Sequence, residues 1–217
     1  MCSESDTAKF FDSFAEAFDT IYDDRRNVLM RWVDRRFRSD MFIRFALSFE
    51  ALGDLTGKAI LDIGCGSGPY VVEALNRGAR WVTAVDPAPN MLALVRKRLE
   101  GIGLVEKCSL VRGTFPEVAV EARDHVIIMG VMDYIADTNA FLVALRPLVK
   151  MSAVVSFPSK HWFRTPFRRF RYRLRRCPVY FYNETDIKAL CSAAGFSEIK
   201  IQKIPGAGMD YHVCLKP

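Results

Sequence analysis

Nothing in these 217 residues provides for a membrane span, a disulfide framework or a zinc finger. No apolar run approaches the roughly 18 residues that a bilayer helix needs. The six cysteines, at positions 2, 65, 108, 177, 191 and 214, form no CxxC pair and have no histidine partners at finger spacing. They read as reduced, mostly buried thiols, and no metal site is expected. Repeats, low-complexity tracts and Pro/Gly/Ser linkers are also absent. The opening MCSESDTAKF lacks both the basic and the apolar region of a signal peptide, which leads to the expectation of a cytoplasmic protein. What is present, 50% apolar and 26% charged residues, suits one compact soluble domain rather than a disordered chain.

The net charge of +6 is local. Residues 160–176 hold eight of the 31 lysines and arginines and no acid, leaving 23 basic against 25 acidic residues elsewhere.

From residue 59 onward, strand-like segments are separated by helical patterns, which is the α/β signature. Strands are expected at Ala59–Ile63, Trp81–Val85, Ser109–Val111, His125–Met129, Ala153–Phe157, Glu198–Lys203 and Tyr211–Leu215, with helices near 70–76, 91–100, 138–146 and 184–194. The last helix has Asn183 as N-cap, Glu184 and Asp186 in its first turn and Gly195 to close it. Only PGAGM, residues 205–209, joins the final two strands, and so short a link permits an antiparallel pair but not a parallel one. The expected fold is a Rossmann-like, seven-stranded mixed sheet with a terminal antiparallel hairpin and helices on both faces. Residues 1–56 would form an N-terminal helical cap on the domain of residues 57–217. Its stripes are Phe10, Phe14, Phe18 and Ile21, then Leu29, Val33, Phe37, Met41 and Phe45.

The strongest motif is Ala59-Ile-Leu-Asp-Ile-Gly-Cys-Gly-Ser-Gly-Pro69, an apolar strand running into alternating glycines and opening a helix at Pro69. Position 69 is proline where a dinucleotide GxGxxG needs its third glycine, and no GK[ST] follows for a phosphate loop. Asp86 ends the next strand, 22 residues beyond Gly64, where a carboxylate accepts hydrogen bonds from a ribose diol and repels a 2′-phosphate.

With LDIGCGSG as first motif and VDPAPNML as second, the chain resembles the class I S-adenosylmethionine-dependent methyltransferases over residues 57–217. FDSFAEAFDTIYDD, residues 11–24, further resembles the opening of their small-molecule branch, which includes quinone-biosynthesis and magnesium-protoporphyrin O-methyltransferases. The resemblance implies S-adenosylmethionine as cofactor and S-adenosylhomocysteine as product. It implies that Tyr22 closes over the cofactor, and that Asp62, Gly64, Cys65 and Gly66 face its methionine end. Gly68 then allows the turn, Asp86 holds the ribose, and Pro87 and Met91 flank the adenine. Thr114 stands where the family usually has an acid, beside Phe115, so adenine recognition there falls to backbone or hydroxyl contacts. Met129 and Gly130 lead into Val131-Met-Asp-Tyr134, where the family brings cofactor and acceptor together.

Methyl transfer is an in-line displacement for which positioning and exclusion of water supply much of the catalysis. Any base must sit at the C-terminal end of a strand, and His161, Asp133 and Tyr134 all do, His161 being preferred. The alternatives are a plain basic-segment residue for His161 and a helix cap for Asp133; His125 and His212 read as structural. The [DN]PP[FYW] tetrapeptide of nucleobase amino-methylation and a pyrimidine C5 cysteine are both missing from GVMDY, which leaves oxygen or activated carbon of a hydrophobic small molecule as acceptor.

Residues 158–182 are an insertion readable as an amphipathic helix, with Thr165 as N-cap, Pro166 at N1 and Phe167, Phe170 and Leu174 on one face. Three readings stand: a solvated basic face, a membrane-surface or lipid-substrate lid through 163–176, and an RNA-binding patch. The buried-stripe period argues against nucleic acid. An RNA or protein methyltransferase and a non-catalytic cofactor-binding subunit remain the alternatives, and the oligomeric state is not legible.

Overall fold

The computed structural model describes residues 41–159, 179–205 and 210–217. A helix occupies residues 41–52 (α1), followed by β1 (Ala59–Ile63), α2 (Pro69–Asn76), β2 (Trp81–Asp86), α3 (Pro89–Gly101), β3 (Cys108–Arg112) and β4 (Arg123–Ile128). Then come α4 (Thr138–Leu145), β5 (Val149–Phe157), α5 (Glu184–Ala193), β6 (Glu198–Lys203) and β7 (Tyr211–Lys216). Every expected strand is present, with bounds moved by a few residues at most.

The strands form one sheet in the order β3-β2-β1-β4-β5-β7-β6. The first five run parallel, while β7 pairs antiparallel with both β5 and β6. The strand order reverses between β1 and β4, and ligands of open α/β sheets bind in the crevice beyond the strand ends at such a point.

Alternation along the strands builds two cores. Leu61, Ile63, Val126, Ile128, Val155 and Phe157 face α4 and α5, packing with Phe141, Leu142, Leu145, Ile187 and Cys191. Ile60, Val82, Ala84, Ile127, Met129 and Val154 face the other way, packing with Phe49 and Leu52 of α1 and with residues of α2 and α3. All five residues of β1 are buried, as expected for a parallel strand covered on both faces.

Local rules fix the helix starts. Pro69 occupies the first turn of α2, with Gly68 before it at φ 81°. At α5 a complete capping box joins Asn183 and Asp186, the Asp186 amide donating to Asn183 Oδ1 at 2.7 Å. Asp137 caps α4 by accepting the Ala140 amide, so the cap considered for Asp133 belongs to Asp137. On α1, Phe45 and Phe49 stack with Tyr70 of α2 at centroid distances of 5.0 and 5.9 Å, fixing α1 against the glycine-loop side of the sheet.

Candidate functional site

Beyond β1 the chain turns through Gly64, Gly66 and Gly68, all at positive φ. The Gly64 and Cys65 amides both donate to the Val85 carbonyl, at 2.8 and 3.0 Å, so the loop is suspended from the end of β2. At Gly64 a Cβ would collide with Val131 Cγ2, and at Gly68 it would stand 2.8 Å from Val95 Cγ2. The two glycines therefore serve different ends. Gly64 lets the segment after β4 press against the loop across the reversal point, and Gly68 lets α3 press against the start of α2.

Asp86, only 7% exposed, is the second anchor. Its Oδ2 accepts the Gly66 amide and its Oδ1 the Ala88 amide, each at 2.9 Å. Beyond it, Ala88 and Met91 form a small apolar cluster separate from the two main cores, a wall suited to a flat ring. Pro87 is half-buried.

Asp62 is 1% exposed and its Oδ2 has no hydrogen-bond partner. Burial, with the neighbouring Asp86 charge adding to it, pushes its carboxyl up to about 8. A buried carboxyl without a full set of partners is expensive unless a ligand supplies a donor. Cys65 follows one turn later; burial raises its thiol well above the ordinary value, so it stays protonated.

On the far side of the crevice, Gly130 at φ 75° donates its amide to Ser156 Oγ at 2.8 Å. Tyr134 donates its amide to the Val131 carbonyl, and the Asp133 carbonyl accepts the Tyr180 amide, both at 2.9 Å. Thus Asp133 and Tyr134 stand in a turn tied to the chain entering α5. Met129 is buried beside Ser48. Thr114 is half-buried, whereas Phe115 is buried edge-to-face on Phe141, 5.0 Å between centroids. Tyr22, His161 and residues 160–176 lie outside the described residues.

His125 and His212 are both buried, as expected of structural residues. His125 Nδ1 is 2.8 Å from Ser152 Oγ, far from the crevice at the other end of β4. His212 Nε2 is 3.3 Å from Ser48 Oγ; burial and the nearby Arg44 charge push it down to about 4, so it is neutral at physiological pH.

Sequence reasoning missed Arg44, Ser48 and Ser156. Ser156 hides inside an apolar strand pattern. Arg44 and Ser48 stand one helical turn apart within a helix read for its apolar stripe, and that i,i+4 polar pair was the available signal.

Residues 60–151 match the family model described as a methyltransferase domain. The chain is 31% identical over 106 residues to the ubiquinone biosynthesis O-methyltransferase of Neisseria meningitidis, a stretch covering 48% of this chain and 44% of that protein. It is 32% identical over 101 residues to the tRNA U34 carboxymethyltransferase of Klebsiella pneumoniae, covering 46% of this chain and 30% of that one. The match thus spans less than half the length of either relative. Among solved structures, magnesium protoporphyrin IX methyltransferase from Synechocystis PCC 6803 with bound S-adenosylhomocysteine superposes at a TM-score of 0.74, with 19% identity and 98% coverage of both chains.

Proposed function

We propose that this chain, which carries a methyltransferase domain and the full fold that goes with it, transfers a methyl group from S-adenosylmethionine to an oxygen or carbon of a hydrophobic small molecule such as a quinone, polyketide or tetrapyrrole. The observation that carries the reading is the joint geometry of Asp86 and Asp62. One carboxylate braces the glycine loop and retains lone pairs for a diol; the other is buried with an unsatisfied oxygen at the same strand ends. That pair fits a ligand with a ribose at one end and an ammonium at the other.

When bound, the cofactor supplies an electrophilic methyl on a sulfonium. The protein's part is positional. Asp86 would hold the ribose, Pro87 and Met91 the adenine, with Thr114 and Phe115 nearby, and Asp62 with Gly64, Cys65 and Gly66 the amino-acid end. Gly68 keeps α3 close. Met129, Gly130, Asp133 and Tyr134 bound the acceptor side, which Tyr22 and His161 would complete. Holding the reacting atoms near attack distance in a water-poor site is worth several powers of ten in rate.

Incubation with methyl-labelled S-adenosylmethionine and an extract of the native host tests the reading. Label partitioning into organic solvent is the expected outcome; label in a nuclease-sensitive precipitate or in protein would overturn the small-molecule acceptor. A tRNA acceptor is the second reading, favoured by the tRNA-acting relative and by the arginine-rich residues 160–176. The same segment suits contact with an anionic membrane surface, although among the described residues no helix is long and apolar enough to cross a membrane.

A further inference from the structure

Arg44 reaches the crevice from outside every motif in the sequence. It lies on α1 one turn before Ser48, whose hydroxyl donates to the Arg44 carbonyl at 2.7 Å. Its guanidinium stands over Gly130, with Nη1 and Nη2 3.9 and 4.0 Å from where a Cβ at that glycine would be. Gly130 is held by Ser156, and the next residue, Val131, touches the glycine loop at Gly64. His212 sits opposite Ser156 across the β5–β7 pair and against Ser48. Arg44 therefore carries a permanent positive charge to the end of β4, directly across from the loop that would hold the methyl donor.

Such a charge acts unequally on the reactants. It repels a sulfonium and attracts an anion. A neutral amine acceptor would also turn cationic on methylation beside it, which is the wrong direction. His212, neutral beside the guanidinium, adds no second charge and does not compete for a proton near neutrality.

We infer that Arg44 binds an anionic oxygen of the acceptor, a carboxylate or an ionised hydroxyl, and so selects acceptors that arrive already deprotonated. The inference rests on the methyl-transfer reading above. In the step it implies, a lone pair of the anionic oxygen forms the O–CH3 bond while the S–CH3 bond breaks, its electron pair staying on sulfur. A cation and an anion become a neutral thioether and a neutral ester or ether. No proton moves, so no general base is required, and Arg44 keeps its charge throughout. The neutral product loses its attraction to Arg44, which favours its release.

The full chain and its Arg44→Gln and Arg44→Lys variants, titrated calorimetrically with S-adenosylhomocysteine and S-adenosylmethionine, test this. The first ligand is neutral at sulfur and the second cationic, so their ratio reads the local charge. Arg44→Gln should bind S-adenosylhomocysteine as the wild type does but favour S-adenosylmethionine by about threefold or more, with Arg44→Lys restoring the wild-type ratio. An unchanged ratio in Arg44→Gln overturns the inference while leaving the methyltransferase reading intact. Failure of the wild type to bind either ligand instead overturns that reading. In the labelled extract reaction, an alkali-labile methyl marks a carboxylate acceptor and an alkali-stable O-methyl a hydroxyl. Label on carbon or nitrogen overturns the inference.

Discussion

Oδ2 of Asp86 accepts the amide hydrogen of Gly66 at 2.9 Å, so the carboxylate at the end of β2 fixes the shape of the loop at the end of β1. The residue proposed to hold the ribose is thereby also part of the scaffold. Asp86→Ala removes an acceptor from two backbone amides and from the ligand together. S-adenosylhomocysteine affinity should fall by about a hundredfold or more, given about 1.5–3 kcal/mol for each hydrogen bond to a charged group. Asp86→Asn should destabilise the fold by about 1–3 kcal/mol, because its amide NH2 would face a backbone N–H. Calorimetric titration and urea unfolding measure the two effects, and unchanged affinity in Asp86→Ala would sink the cofactor assignment.

Asp62 should make ligand binding release a proton. Its carboxyl, at about 8 in the folded chain, is protonated at pH 7, and an arriving ammonium group favours the ionised form. Binding of S-adenosylhomocysteine at pH 7 should therefore show a heat that varies with the ionisation enthalpy of the buffer, and Asp62→Asn should abolish that variation. The stability sign is equally definite. A folded-state value above the unfolded one near 3.9 contributes stability that is present at low pH and lost as the pH rises through about 8. Asp62→Asn should lack this loss and be the more stable protein at pH 9, as read by urea unfolding.

Gly64 and Gly66 should respond differently to alanine. Both have positive φ, but a Cβ at Gly64 meets Val131 while one at Gly66 meets open space. Gly66→Ala should show only the cost of its backbone conformation, about 1 kcal/mol. Gly64→Ala should cost more and also weaken ligand binding, because Val131 must move. Adding Val131→Ala to Gly64→Ala should recover part of the loss, as measured by a double-mutant cycle. Simple additivity would show that the contact across the reversal point is not what Gly64 serves.

His212 sets an acid limit. Its value of about 4 lies below the unfolded 6.5, so its stabilising contribution is present above 6.5 and lost as the pH falls toward 4. His125, lowered chiefly by burial, has the same sign. Subtracting the pH profile of His212→Gln from that of the wild type isolates the His212 part. The difference should be flat above pH 7 and should shrink between pH 6.5 and 4. A flat difference throughout would mean that His212 titrates in the folded chain as it does in water.

The linear sequence determined what depends on neighbours along the chain. Alternating apolar residues and helical spacing specified seven strands and the helices between them. Asn183, Gly195 and Pro69 punctuated the helix ends, and the five-residue link at 205–209 required an antiparallel hairpin. The glycines and Asp86 were legible as a site because each is set by local geometry: a positive φ, a close turn, a strand terminus. Only the tertiary structure decided what depends on side chains meeting from distant segments. That Asp62 is buried with an unmatched oxygen follows from the packing of the strands on either side of β1, and no local pattern encodes it. That Asp137 rather than Asp133 caps α4 turned on where the chain after β4 first becomes helical. Arg44 looked like one polar residue in an amphipathic helix, and its place over Gly130 exists because Phe45 and Phe49 lock α1 onto Tyr70 at a particular rotation. Burial and charge are properties of the assembled volume, so the motif told which cofactor to consider, and the fold decided which charges face it.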